Sequence, residues 1–232
     1  MNTIYQKELN FNLKITSDCI TSKSGLIFFY ETALAIGLIK EIDRIFPHPK
    51  FNNSILPKDY TMSIILMLCG GGKFMEDIRQ IKIDNGLCKI CEIKRVPSPD
   101  AIANWLKEEN NFKRLNKVLE FLNKQIIKRT GIDNFTLDTD ATIIENEKSG
   151  AEMTYKGFKG HSVLMSFLSE LDLCIADEYR TGAVYAGKGI LEQLIYSHEL
   201  LKTTGKKLKY FRSDSAAYNN TIINECCKRK IT

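Results

Sequence analysis

The chain has 232 residues, 44% of them hydrophobic, a formal net charge of +5 and seven cysteines. This is the composition of an ordinary globular protein with enough apolar material for one large core or two modest ones. The opening "MNTIYQKELN" lacks the basic start and apolar core of a signal peptide, and the apolar runs are too short or too interrupted to span a bilayer. The odd, scattered cysteines argue for free thiols over a disulfide framework. A soluble cytoplasmic protein with no membrane partner is expected.

Residues 9–16, "LNFNLKIT", alternate Phe11, Leu13 and Ile15 with polar neighbours and predict one half-buried strand. Helical spacing follows. "GLIFFYETALAIGLIKEIDRIF" predicts a helix stopped by Pro47 and Pro49, "DYTMSIILMLC" one that runs into Gly70–Gly72, and "FMEDIRQIKID" one that ends at an Asn85-Gly86 turn. "VPSPDAIANWL" carries a helix start, with Ser98 as N-cap, Pro99 at the first helical position and Asp100 in the first turn. That helix continues to about Arg129 with a candidate break at Asn110-Asn111, and Gly131 suits its C-terminal cap. Residues 1–130 therefore read as a mainly helical region and residues 131–232 as a second domain.

After Gly131 the period changes to that of strands. "FTLDTDATII", "HSVLMSFLSE" and "LCIADEYR" predict three successive strands joined by turns at "KGFKG" and "ELD". A helix over "ILEQLIYSHELLKTTG", a strand over "KLKYFRSD" and a helix over "AAYNNTIINECCKR" complete the order βββαβα. The expected fold class is α/β, a helical N-terminal region followed by an incomplete ribonuclease-H-like mixed sheet in which the fourth strand lies beside the first.

Two residues apart on one strand, Asp138 and Asp140 share a face, and the break in apolar character puts them near the strand's end. Asp214 ends the fourth strand in the same order. Carboxylates brought together from neighbouring strands repel one another unless a cation lies between them, and hard oxygen ligands favour Mg²⁺ or Mn²⁺. Two such ions can stabilise both the attacking and the leaving oxygen of an in-line phosphoryl displacement.

"LDTDATIIENE", "YKGFKGHSVLMSFLSELDLCIADEYRTG" and "KYFRSDSAAY", in that order, resemble the catalytic core of the DDE transposases of bacterial insertion sequences. "SGLIFFYETALAIGLIKEIDRIFP" and "VPSPDAIANWL" are similar to that family's N-terminal helical region, so the likeness covers nearly the whole chain. It implies cleavage of DNA at element ends and strand transfer into a target, with divalent metal, DNA as the partner and a homodimer as the working form. It also implies that Asp140 and Asp214 take the places of the first and second catalytic, metal-holding aspartates, with Asp138 beside the site. The family's third acid, a glutamate on a later helix, has no counterpart: the sequence stops 18 residues past Asp214, and Glu225, eleven residues on, is a poor substitute. A truncated transposase is therefore expected, holding metal weakly and inactive in strand transfer on its own. The alternative is a non-catalytic DNA-binding remnant that occupies element ends or interferes with full-length transposase; it needs neither Asp140 nor Asp214.

Arg212 shares the face of Asp214, and Arg180 ends the third strand, so each either pairs with a nearby carboxylate or meets a phosphate. "GAVYAGKG", residues 182–189, falls one residue short of a phosphate-binding loop, with Gly189 at the hydroxyl position. A flexible connector is expected there, and no nucleotide cofactor. Cys88 and Cys91 read as a structural thiol pair, and His48, His161 and His198 form no metal or triad pattern. Trp105 reads as a packing residue. Lys107, Lys113, Arg114, Lys117, Lys124 and Lys128 offer cations to phosphates, diluted by Glu108, Glu109 and Glu120. From Leu201 to Thr232, eight basic residues against Asp214 and Glu225 give +6, which reads first as a solvated face.

Overall fold

The computed structural model describes residues 17–49, 51 and 53–232. The strand expected over residues 9–16 lies outside them. By contacts the chain divides into two units, residues 17–35 with Ile42–Phe112, and Ile36–Glu41 with Lys113–Thr232. Among the described residues no helix is long and apolar enough to cross a membrane.

Short helices build the first unit. The single helix expected over residues 25–46 is two, α1 (Ile27–Ala35) and α2 (Leu38–Ile45), because Gly37 takes a left-handed φ of 81° that interrupts the ladder. Helix α3 (Pro57–Cys69) stops at Gly70 as expected but starts two residues before the expected stretch, on Pro57 at its first helical position. Helix α4 (Ile78–Lys82) is only five residues long, and Asn85-Gly86 opens α5 (Asn85–Ile90) where a turn was expected. Asp84 is the reason: Oδ1 accepts from Leu87 N at 2.8 Å as an N-cap, and Oδ2 accepts from Thr21 Oγ1 at 2.6 Å. Gly86 then lies against the backbone, where a Cβ would come within 2.3 Å of Ile20 O. Cys91 is buried and its thiol pushed up to about 11, mainly by burial, and both Cys88 and Cys91 are free. Helix α6 (Pro99–Lys107) is capped by Ser98 Oγ, which accepts from Ala101 N at 3.2 Å. Trp105 stacks on Tyr60 (4.8 Å between centroids) and on Phe46 (5.6 Å), the packing role its spacing predicts.

Helix α7 (Glu109–Arg129) begins after a break at Glu108, two residues before the expected one, since Glu108 is extended at ψ 110°. From Lys113 onward it belongs with the second unit. Gly131 is not a left-handed cap; Thr130 closes the helix through its Oγ1, which donates to Ile127 O at 3.1 Å.

The second unit is a mixed α/β assembly. Strand β1 (Asn134–Glu145) pairs antiparallel with β3 (Lys159–Leu168), β3 antiparallel with β4 (Leu173–Thr181), and β1 parallel with β5 (Lys207–Ser213). The long strands run β4-β3-β1-β5, and the short β2 (Glu152–Met153), absent from the sequence reading, pairs with the start of β3. Helices α8 (Ile190–Thr203) and α9 (Asn220–Arg229) complete it, the latter starting on the cap Asn219 after a 3-10 turn at Ser215–Ala217. Thr232 adds a parallel bridge to β5, its N–H donating to Lys209 O and its C=O accepting from Phe211 N, both at 2.9 Å.

Alternation decides which face is covered. Leu137, Leu164 and Leu168 join Ile190, Leu194 and Leu201 of α8 in one core. Beneath it Thr139 Oγ1 shares a hydrogen bond with Ser166 Oγ at 2.6 Å, Ser166 Oγ donates to Gln193 Oε1 at 2.6 Å, and all three residues are buried. Thr139 stands between the two aspartates in sequence, so that closed network fixes β1 and β3 where the acids project the other way.

Candidate functional site

The opposite face of β1 carries Asp138 and Asp140, across from Phe167 and Met165 of β3. They share that face as expected, but they sit mid-strand and not near its end. Strand β1 continues to Glu145 because β3 still pairs with it there, and it is the other neighbour, β5, that stops.

That unequal ending makes the site. The last β1–β5 partners are Asp138 with Arg212 and Thr139 with Ser213. One step further along both chains are Asp140 and Asp214, and Asp214 is itself still extended at φ −73°, ψ −176°. Adjacent strands lie about 4.8 Å apart, so the register sets the two residues side by side. Alternation points both side chains to the face that bears Asp138 and Arg212. Both are exposed. Asp140 Oδ1 accepts from Ala141 N at 2.8 Å, and Asp214 Oδ1 accepts from Ala216 N at 2.9 Å, capping the 3-10 turn. Among the described residues, no bond engages Oδ2 of either.

Asp138 is differently placed. Arg212 grips it with two bonds, Nε to Oδ1 and Nη2 to Oδ2, each 2.5 Å, and Ser169 Oγ also donates to Oδ2. Arg212 Nη2 reaches Ser169 Oγ as well, at 3.0 Å. The Arg212 bond, assisted by Ser169 against partial burial, holds the Asp138 carboxyl below the usual carboxylate range. Arg212 thus pairs with an acid, and the acid is the cross-strand Asp138. Ser169, in the turn after β3, had no signal in the sequence beyond its position after an apolar run.

A depressed folded-state value means that this bond stabilises the fold above the unfolded carboxyl's pKa near 4 and ceases to as pH falls through the folded value. Arg212→Ala should therefore move the Asp138 titration upward, toward the ordinary range, and remove its share of the acid-side loss of stability. Carboxyl carbon NMR titration measures the midpoint, and an unchanged midpoint in the variant would contradict the assigned cause.

Arg180 does not reach the acids. It is 5% exposed on the core side of β4, where Nη2 donates to Ser162 Oγ at 2.8 Å and Nη1 to the carbonyls of Ala186 (3.5 Å) and Lys188. The loop Gly182–Gly189 is therefore a tethered segment and not a flexible connector. Its carbonyls converge on a cation, the reverse of a phosphate loop, whose N–H groups converge on an anion.

Other candidates fall into structural roles. Glu225 accepts from Arg229 Nε at 2.6 Å, and Arg229 also bonds Glu199 of α8 at 2.6 Å, so Glu225 is engaged between helices. Within the basic C-terminal stretch Lys206 pairs with Asp133 (2.9 Å) and Lys228 with Glu225 (3.6 Å), and Lys124 of the α7 cations pairs with Glu120 at 2.5 Å. His161 is buried, bonded through Nδ1 to Asn146 Nδ2 at 2.8 Å and stacked on Tyr179. Among the described residues no group of three or more His, Cys, Asp or Glu side chains is arranged to hold a metal ion. Asp140 and Asp214 remain as a pair of hard oxygen donors, each with one oxygen uncommitted. That donor chemistry fits two ligands of a Mg²⁺ or Mn²⁺ ion, with the remaining positions left to water or substrate oxygens.

No family model, no curated protein and no solved structure matches the chain.

Proposed function

We propose that this chain is a DDE-transposase-like protein of the ribonuclease-H-like class, acting on DNA phosphodiesters at the end of its sheet. The observation that carries this reading is the register that makes Asp140 and Asp214 neighbours on an exposed face. The strand order β4-β3-β1-β5, with antiparallel pairs and one parallel pair, supports it, as does the parallel bridge from Thr232 on the outer side of β5, where that class adds a further strand.

Asp140 and Asp214 are the metal-holding and catalytic acids in this reading. The bound ion supplies charge for the attacking and leaving oxygens of an in-line displacement. The protein's own part is positional. Asp214 is held by the turn it caps, Asp140 by the strand and its buried neighbour Thr139. Arg212 neutralises Asp138, so that a third carboxylate does not add its repulsion to an incoming phosphate. Two acids leave most coordination positions of the ion to water or substrate oxygens, so the described site holds metal weakly. DNA is the partner, at element ends and target.

The test is to map the ion. Mn²⁺ added to the isotope-labelled chain should broaden amide signals around Asp140 and Asp214 selectively, and Asp140→Asn should remove that broadening. Broadening centred on Cys88 and Cys91, or none at all, would sink the proposal. Sequence-specific DNA binding that survives loss of both aspartates without any metal effect would favour the non-catalytic remnant instead.

A further inference from the structure

The loop Gly182–Gly189 ends at the same edge of the sheet as Asp214. Strands β1 and β4 are each antiparallel to β3, so β4 runs parallel to β1, as does β5; β1 and β4 run on past the end of β5, and the loop after β4 turns back to the segment that follows Asp214. Several devices fasten the loop there. Arg180 holds the carbonyls of Ala186 and Lys188 from below. Gly187 lies so close to the turn after Asp214 that a Cβ would come within 2.5 Å of Ala216 O. Gly189 takes a left-handed φ of 90° to start α8. Tyr185 Oη donates to Ala216 O at 3.0 Å, tying the loop to the residue two beyond Asp214.

The fastened loop offers few groups to solvent. Tyr185 is 61% exposed although its hydroxyl is held, so its ring is fixed in place with much of its surface open. Lys188 is exposed and makes no ion pair among the described residues. On the other side of Ala216, Tyr218 is 84% exposed. Two exposed aromatic rings and an ammonium group thus belong to the loop and the turn that the Tyr185–Ala216 bond ties together, and that turn begins at Asp214. An exposed, immobilised ring pairs well with another flat apolar face, and every nucleobase has one when it is unstacked. In a duplex those faces are covered by neighbouring bases.

We infer that Tyr185, Tyr218 and Lys188 form a platform that takes an unpaired nucleotide of single-stranded DNA beside the carboxylates, the rings stacking on bases and Lys188 meeting a phosphate. This rests on the function proposed above and adds the strand state of its substrate. Holding Tyr185 by its hydroxyl lowers the conformational cost of presenting its ring.

Anisotropy of a fluorescein-labelled oligothymidylate, measured in chelator so that metal plays no part, tests it. Tyr185→Ala should weaken binding about tenfold, whereas Tyr185→Phe, which keeps the ring and loses the hydroxyl tie, should stay within about twofold of the parent. Lys188→Ala should lower the slope of log affinity against log salt by about 0.7. If Phe behaves as Ala, the residue serves as a loop fastener and the platform is wrong; it is equally wrong if Ala binds like the parent or the parent does not bind the single strand. Mn²⁺ mapping on Tyr185→Ala separates the two claims. Broadening at Asp140 and Asp214 with binding indifferent to Tyr185 overturns the platform alone, and a tenfold loss without any Mn²⁺ signal overturns the metal site and leaves the platform.

Discussion

Leu164→Ala should lower the free energy of unfolding by about 3 kcal/mol, within the roughly 2–5 kcal/mol span of buried leucine truncations. Leu164 is fully buried in β3, the strand paired on both sides, by β1 and by β4. Those two ladders pin its backbone, so the strand cannot move in to fill the space that the missing atoms leave. Its neighbours cannot fill it either. Its partner across β1 is Ala141, and at the start of α8 it meets Gly189, where a Cβ would lie only 3.0 Å from Leu164 Cδ2. Small residues on two sides mean that one side chain occupies the volume, and most of the cavity persists. Leu164→Met, which conserves volume, should cost under about 1.5 kcal/mol. Urea denaturation measures both. A loss below about 1 kcal/mol for the alanine variant would mean that the site collapses and that the packing described here is looser than its geometry implies.

Periodicity made most of the second unit legible. Strands over residues 134–145, 159–168, 173–181 and 207–213 carry the alternation that a sheet covered on one face imposes, and α8 carries the spacing of the helix that covers it. That Asp214 would come beside the first strand's aspartates was legible from the expected strand order, with the fourth strand beside the first, and the resemblance added their roles. The register itself was not legible, since it depends on contacts some 70 residues apart that no local pattern encodes. What escaped has specific causes. An Asn-Gly dipeptide is a strong turn signal, yet Asp84 upstream supplies a cap and converts Asn85-Gly86 into a helix start. An all-apolar run hides the break that Gly37 makes between α1 and α2. Arg180 and Arg212 look alike in sequence, each at the end of a strand. They differ because alternation sends Arg180 to the core side with Ser162, and Arg212 to the exposed side with Asp138. A cation's role is set by the face it lands on.

Converting both Asp140 and Asp214 to Asn should leave the metal-free fold as stable as the parent or more so, while removing every stabilising effect of Mn²⁺. The sign follows from the charges. Two carboxylates on neighbouring strand positions of an exposed face repel by at most on the order of 1 kcal/mol at the dielectric of water. The nearby cation gives little relief, because Arg212 is committed to Asp138 through Nε and Nη2. Asparagine keeps the oxygen that accepts from Ala141 N in one case and from Ala216 N in the other, so the strand and the turn lose no local bond. Metal reverses the balance in the parent. An ion that binds only the folded chain stabilises it by RT ln(1 + [M]/Kd), about 1.4 kcal/mol at tenfold excess over Kd. In a protein of this length that corresponds to roughly 3–6 °C in the unfolding midpoint. The parent should therefore melt at or below the double variant in chelator and above its own chelator midpoint in excess Mn²⁺, while the variant does not respond. If the variant instead unfolds without metal, the aspartates hold the sheet together through bonds that their geometry does not provide. If it still gains stability from Mn²⁺, the ion binds elsewhere and the acids at the end of β5 are not its site.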